Sequence, residues 1–222
     1  MDEKVLKIKE EIIKYGKMIN DRNLVVGPGG NISHREGNTV FLTPSGLGFD
    51  EIDIEDIVCI DLNTREITSG TRRPTSEVAM HLEIYKVRKD VNTIFHTHPP
   101  ITIGVIGAGV EIKPLFPDFA LFLGKRVPII EYVSPCTQEL ADLVKKNIGN
   151  YEALTLKKHG LIVVAKNFRE AWVKSVLIEE TAKMIVAART LGKEAVITSE
   201  EIDEINNLEI EKYRKRLMKD SQ

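Results

Sequence analysis

The chain of 222 residues carries 31 Lys and Arg against 33 Asp and Glu, a formal net charge of -2, and 42% of its residues are hydrophobic. This balance gives no electrostatic basis for a nucleic-acid or acidic-membrane partner, and it supplies enough apolar side chains for a sizeable core. Only Cys59 and Cys136 are present, so a disulfide scaffold is excluded and a reducing cytoplasm is the expected compartment. The charges scattered over residues 1–10 are unlike a secretory signal, and the longest near-apolar run, residues 101–110, is too short to span a bilayer.

In chain order, Val5, Ile8, Ile12, Tyr15 and Ile19 recur at helical spacing and predict an amphipathic helix over 3–20. The stretch from Val25 to Asn31 is too rich in glycine for regular structure. Short strands are expected at 38–43 and 56–61, with the turn Thr43-Pro44-Ser45-Gly46 between them. Pro74-Thr75-Ser76-Glu77 then opens a helix to about Arg88, with Thr75 or Ser76 as its cap. Residues 90–96 read as a turn entering a strand, and Pro99 starts a short helical segment. A helix is expected at 137–147, strands at 152–156 and 161–165, and two closing helices at about 168–191 and 199–217. Because several strand pairs have no helix between them, the expected architecture is one α/β domain over 1–222 with a central, largely antiparallel sheet.

Of the five histidines, His96 and His98 stand two apart at the end of a predicted strand, where their rings share a face. Two such imidazoles can reach one metal ion, and His159, beside Gly160 in a tight turn, is the best third ligand. Three protein ligands with one open position suit catalytic zinc, and manganese or cobalt would also fit. A His-x-His pair by itself is a weak signal. His81, in the second turn of a helix, reads as a packed or outer group. His34 reads as a solvated residue or a neighbour of the site.

Three segments present small residues whose backbone N–H groups could meet an anion: Gly29-Gly30-Asn31, Ser45-Gly46 and Thr75-Ser76. Together they could hold a phosphate without an arginine, although each alone is an ordinary turn or cap. Glu77 follows at once. A carboxylate between a phosphate and a metal is placed for proton transfer, and its bland role is a favourable charge in a first helical turn.

Gly-Gly-Asn-Ile-Ser, Thr-Pro-Ser-Gly, Pro-Thr-Ser-Glu, His-Thr-His and Lys-His-Gly occur in that order. The set resembles the class II aldolase/adducin family from the first helix to Tyr213. The resemblance implies a three-layer α/β/α fold and a zinc-dependent lyase. Its reaction would split a ketose 1-phosphate, such as L-fuculose 1-phosphate, into dihydroxyacetone phosphate and an aldehyde. It implies His96, His98 and His159 as metal ligands and Glu77 as catalytic acid/base. Gly30, Asn31, Ser45, Gly46, Thr75 and Ser76 match the positions that hold substrate phosphate, and Thr75 and Ser45 keep the hydroxyl of the residue each replaces.

The family also implies a homotetramer with sites between subunits, the contacts falling on 114–132 and the C-terminal helix. It contains ribulose-phosphate 4-epimerases, sugar-acid decarboxylases and the non-enzymatic adducin head as alternatives. Glu77 favours the aldolase over the epimerase. Phe119 stands where the aldolase carries a tyrosine, which leaves Asp118 and Tyr213 as candidates for the second acid. A Schiff-base design through Lys157 or Lys158 is the competing chemistry.

Overall fold

A computed structural model of the chain describes residues 2–219; residues 1 and 220–222 of the expected domain lie outside the described residues. Helix α1, Glu3–Asp21, forms as its periodicity predicts: Ile8, Ile12, Tyr15 and Ile19 are buried along one stripe, and the Asp2 side chain caps the Lys4 N–H.

The centre is an eight-stranded sheet in the order β4-β3-β2-β1-β5-β8-β7-β6. Its strands are β1 (Asn31–Glu36), β2 (Thr39–Leu42), β3 (Val58–Asp61), β4 (Ile67–Ser69), β5 (Thr93–Thr97), β6 (Ile129–Ile130), β7 (Ala153–Leu156) and β8 (Gly160–Ala165). Every pairing is antiparallel except β6 with β7. Alternation along β5 sends Phe95 to one face, among Tyr15, Ile19 and Phe168, and Ile94 to the other, among Met80, Ile84 and Val144. The first face is covered by α1 and by α6 (Phe168–Leu191), the second by α2 (Val78–Val87) and α5 (Gln138–Ile148). The expected three-layer α/β/α arrangement is present. Covered on both faces, β8 is buried throughout, which is why its residues 160–165 read as a continuous apolar run.

Strand β1 was not expected, and its sequence explains why. Asn31, Ser33 and Arg35 occupy its α2-facing side, where burial normally demands apolar residues. Partners from α2 and the segment after it satisfy them instead: the Arg35 guanidinium donates to the carbonyls of Tyr85, Lys89 and Val91.

Helix α2 starts later than expected, at Val78, with residues 75–77 forming a turn. Neither Thr75 nor Ser76 is its cap; the Thr75 hydroxyl accepts from the Glu77 N–H at 3.3 Å, and its carbonyl from the Val78 N–H. Helix α3 (Pro100–Gly107) starts on the second of two prolines, and its first turn is held by the buried Glu179 of α6, which accepts from the Ile101 and Thr102 amides. Helix α4 (Pro117–Leu123), also unexpected, opens on a proline at its first position. The single closing helix expected at 199–217 is two, α7 (Ser199–Asn207) and α8 (Glu209–Lys219), because Leu208 between them is extended.

Candidate active site and metal centre

All the segments singled out by their motifs meet at one end of the sheet. There β1 begins at Asn31, β2 ends before Thr43, β5 ends at Thr97 and β8 begins at Gly160. His96 is the penultimate residue of β5 and His98 lies one residue past its end; His159 closes the 157–159 turn, which Lys158 makes possible with a φ of 59°. Glu77 arrives from the turn before α2. One ligand atom from each of Glu77, His96, His98 and His159 lies within 4.8 Å of the others.

The hydrogen-bond accounting shows what this cluster lacks. His96 Nδ1 lies 3.0 Å from the carbonyl oxygen of Leu161, which can only accept, so Nδ1 carries the proton and Nε2 offers a lone pair. Around that lone pair stand Glu77 Oε2 at 3.0 Å and His98 Nε2 at 2.9 Å. Glu77 Oε1 lies 3.3 Å from His159 Nε2, yet it is a buried oxygen without a hydrogen-bond partner. Electron pairs therefore converge on one point, and a positive charge is needed to satisfy them.

The electrostatics agree. Burial, reinforced by the His96 and His159 rings, pushes the His98 imidazole down to about 4; burial, then His96, brings His159 down to about 4. Both rings are thus neutral at pH 7, the form that ligates metal. Burial alone would raise the Glu77 carboxyl; positive charge within the cluster, together with the hydrogen bond donated by the Asn31 amide, holds it well below the usual range, so it is ionised. Four donors of this kind, three imidazoles and one carboxylate, fit a divalent cation such as zinc.

Close approach of the rings depends on Gly160. A Cβ there would collide with the Thr97 carbonyl oxygen and come within 2.7 Å of His98 Cδ2. Gly30 is similarly constrained: its φ is 72°, and a Cβ would stand 2.8 Å from the His96 carbonyl.

The expected phosphate loops lie side by side next to this cluster. The Ser45 N–H bonds to the Arg73 carbonyl at 2.9 Å and the Thr75 N–H to the Thr43 carbonyl at 3.0 Å. Those two amides are engaged, contrary to the expectation that they were open to an anion, and Thr75 is buried with its hydroxyl turned to Glu77. Ser45, Gly46 and Ser76 are exposed on the outer rim, and Ser76 Oγ contacts Cys136 Sγ at 3.2 Å. Asn31 points its side chain inward, at Glu77, rather than toward the rim.

The other candidates lie apart from the four-residue cluster or are spoken for. His34 is neither solvated nor a ligand: it stacks on Phe168 at 4.8 Å and bonds to Thr93. Asp118 pairs with Arg214 at 2.8 Å, Phe119 is fully buried, and Tyr213 is exposed on α8. Lys157 is ion-paired with Glu131, and Lys158 is exposed. His81 is packed, as its helical position implied. Its partner Ser33, and Tyr85 beyond that hydroxyl, were missed, although Glu77, His81 and Tyr85 recur at four-residue spacing and Asn31 and Ser33 at two, the periods of one helix face and one strand face.

Three imidazoles and an ionised carboxylate, set at the end of a helix-covered antiparallel sheet, make a candidate centre for a divalent metal of the kind metal-dependent lyases use. The family described as the class II aldolase and adducin N-terminal domain matches residues 10–186. A 5-deoxy-D-ribulose 1-phosphate aldolase of Bacillus thuringiensis serovar kurstaki is 34% identical over 201 residues, 90% of this chain and 93% of that protein. An L-fuculose phosphate aldolase of Methanococcus maripaludis is 34% identical over 174 residues, 78% of this chain and 93% of its own length. A 3-oxo-tetronate 4-phosphate decarboxylase of Pectobacterium atrosepticum is 29% identical over 206 residues, 89% of this chain and 92% of its own. The solved structure of an L-fuculose 1-phosphate aldolase superposes with a TM-score of 0.86 at 31% identity, over 94% of this chain and 96% of that one. The chain belongs to the class II aldolase and adducin family, and its relatives there include L-fuculose phosphate aldolases. No described helix is long and apolar enough to cross a membrane.

Proposed function

We propose that the protein is a zinc-dependent aldolase that cleaves a ketose 1-phosphate, such as L-fuculose 1-phosphate or a 5-deoxypentulose 1-phosphate, to dihydroxyacetone phosphate and an aldehyde. The observation that carries this reading is the convergence of Glu77, His96, His98 and His159 on one point, with lone pairs that only a positive charge satisfies. His96, His98 and His159 would hold the cation, with Glu77 beside them. When bound, it supplies Lewis acidity for the negative charge that develops as the C3–C4 bond breaks.

The chain's own residues do the rest. The rim formed by Gly30, Asn31, Ser45, Gly46, Thr75 and Ser76 anchors the substrate phosphate. Exposed Ser45, Gly46 and Ser76 meet the phosphate, while Asn31 and Thr75 shape the cradle from inside. Anchoring at the phosphate fixes where the reacting carbons lie and removes much of the entropic barrier. Glu77, ionised and buried, exchanges a proton with C3 of the three-carbon fragment. The pairing of Lys157 with Glu131 and the exposure of Lys158 speak against a Schiff-base route. Residues 1–222 act as one domain in the cytoplasm, within a homotetramer whose neighbouring subunits supply the second acid.

The experiment is direct. Purified protein is analysed for metal and incubated with fuculose 1-phosphate, 5-deoxyribulose 1-phosphate, ribulose 5-phosphate and a 3-oxo-tetronate 4-phosphate. Release of dihydroxyacetone phosphate, abolished by a chelator and restored by zinc, is the expected result. Isomer exchange without cleavage would replace the aldolase by an epimerase, and release of carbon dioxide by a decarboxylase. A metal-free protein unaffected by zinc, with no turnover, would leave the adducin-like interaction module.

A further inference from the structure

Behind the cluster runs a second line of polar groups, buried from Asn31 to Tyr85, that metal ligation by itself does not require. The Asn31 Nδ2 donates to Glu77 Oε2 at 3.0 Å, and on the other side Asn31 Oδ1 meets His81 Nε2 at 2.5 Å. His81 Nδ1 lies 2.7 Å from Ser33 Oγ, which lies 2.8 Å from the Tyr85 hydroxyl, itself 3.1 Å from the Asn92 carbonyl. His81, Ser33 and Tyr85 expose no surface.

The donors in this line can be assigned one after another. Asn31 turns its NH2 to Glu77 Oε2 and its carbonyl oxygen to His81. A carbonyl oxygen only accepts, so His81 carries its proton on Nε2. Burial keeps the ring neutral, down to about 3, and Nδ1 is then a lone pair that accepts the Ser33 hydroxyl proton. The Ser33 oxygen in turn accepts from Tyr85, whose long contact with the Asn92 carbonyl is a second acceptor for the same proton. The line therefore has one polarity, each proton from Tyr85 to Asn31 being donated in the direction of Glu77. Its effect at the near end is to occupy Glu77 Oε2 and leave Oε1, the buried oxygen without a partner, as the atom facing His159.

We propose that His81 is a positioning residue: its Nε2–H locks the Asn31 amide so that Glu77 Oε2 is pinned and Oε1 is the working oxygen. This rests on the reading of Glu77 as the proton-exchanging carboxylate beside the cation. A merely structural His81, tying α2 to β1, would support the fold equally whether or not the Asn31 amide were present. A positioning His81 acts only through that amide.

The test is a double-mutant cycle. His81→Leu and His81→Gln are made in the wild type and in Asn31→Ala, and kcat, KM, zinc dissociation constant and melting temperature are measured for each. Alone, H81L is expected to lower kcat and weaken zinc by about 10–100-fold, the usual loss for an outer partner of a metal site, with a smaller change in KM. In N31A it should add little to either loss, and H81Q, which keeps an N–H donor, should recover most of the activity. Equal losses from H81L in both backgrounds would overturn the proposal. Nitrogen-15 spectra of the zinc-loaded wild type, labelled at histidine, give an arm that needs no variant to fold: His81 protonated on Nε2 alone is expected, and a proton on Nδ1 would overturn it. If no ketose 1-phosphate is cleaved by the wild type, the aldolase reading fails, while the zinc cycle and the tautomer still decide for or against His81.

Discussion

His96 Nε2 and His98 Nε2 stand 2.9 Å apart, with Glu77 Oε2 3.0 Å from the first. Two imidazole nitrogens and a carboxylate at these distances call for positive charge between them, which a divalent cation would supply. Zinc at about 1,000 times its dissociation constant should therefore stabilise the protein by about 4 kcal/mol. For a chain of this size that is a rise in melting temperature of about 10 °C. His96→Ala should lose the zinc-dependent part of this rise, whatever it does to the baseline. A concentration-dependent shift that survives in H96A would show that zinc binds elsewhere.

Glu77 is ionised and has one oxygen without a hydrogen-bond partner, so its contribution divides between charge and proton transfer. Glu77→Gln keeps the shape and removes both the charge and the basic oxygen. We expect zinc to remain bound at close to one per chain through the three histidines, with weaker affinity, and kcat to fall by about 10²–10⁴-fold. Metal analysis and turnover on the same sample check this. Full activity in E77Q would assign the proton exchange to another group.

How much of this site was legible in the sequence follows from the kind of signal each residue leaves. His96 and His98 were readable because strand alternation places residues two apart on one face, even though β5 ends between them. The helix expected at about 168–191 was readable, and in the structure Asn167 caps it and Gly192 ends it. Strand β1 was not, because its inward side chains Asn31, Ser33 and Arg35 are polar and their partners come from α2 and from residues 85–92. No local pattern announces a partner 50 residues away. The loops expected to meet a phosphate were legible as composition but not as geometry: the bonds from Ser45 to Arg73 and from Thr75 to Thr43 use amides that the sequence left open.

Gly160 allows the His98 ring to lie against the start of β8. A methyl group there would meet the Thr97 carbonyl oxygen and come within 3.1 Å of His96 Cε1 as well as against His98. Backbone cannot yield at Thr97 without breaking its pairing to Leu161, so the rings must move. Gly160→Ala should weaken zinc by at least about tenfold. Competition with a chromophoric chelator measures it, and unchanged affinity would mean that the turn relaxes at no expense to the rings.

Ser76 is exposed on the rim, one residue before Glu77. If a substrate phosphate sits there, Ser76→Asp sets a like charge against it and removes a donor. KM should rise by about tenfold or more, most at low ionic strength, with a smaller change in kcat and no change in zinc content. The measurement is a pair of saturation curves at two salt concentrations. A KM that is unmoved would put the phosphate elsewhere.

The acid limb of stability carries a separate signature from His34, which is not in the cluster. Burial, only partly offset by Glu36, pushes its imidazole from 6.5 down to about 4, and the ring stacks on Phe168 at 4.8 Å. The unfolded chain takes up a proton at this residue near pH 6.5, whereas the folded chain does so only near pH 4. Its folded pKa is depressed, so stability is highest above pH 6.5 and is lost as pH falls to about 4, with no further loss below. The difference amounts to at most about 3 kcal/mol for this one group. His34→Phe keeps an aromatic ring on Phe168 and has nothing to protonate, although Thr93 loses its partner. Urea unfolding of the zinc-free protein at pH 7.5 and pH 5 should therefore show a smaller drop for H34F than for the wild type. Equal drops would mean that His34 takes up its proton without unfolding, by swinging out of its stack.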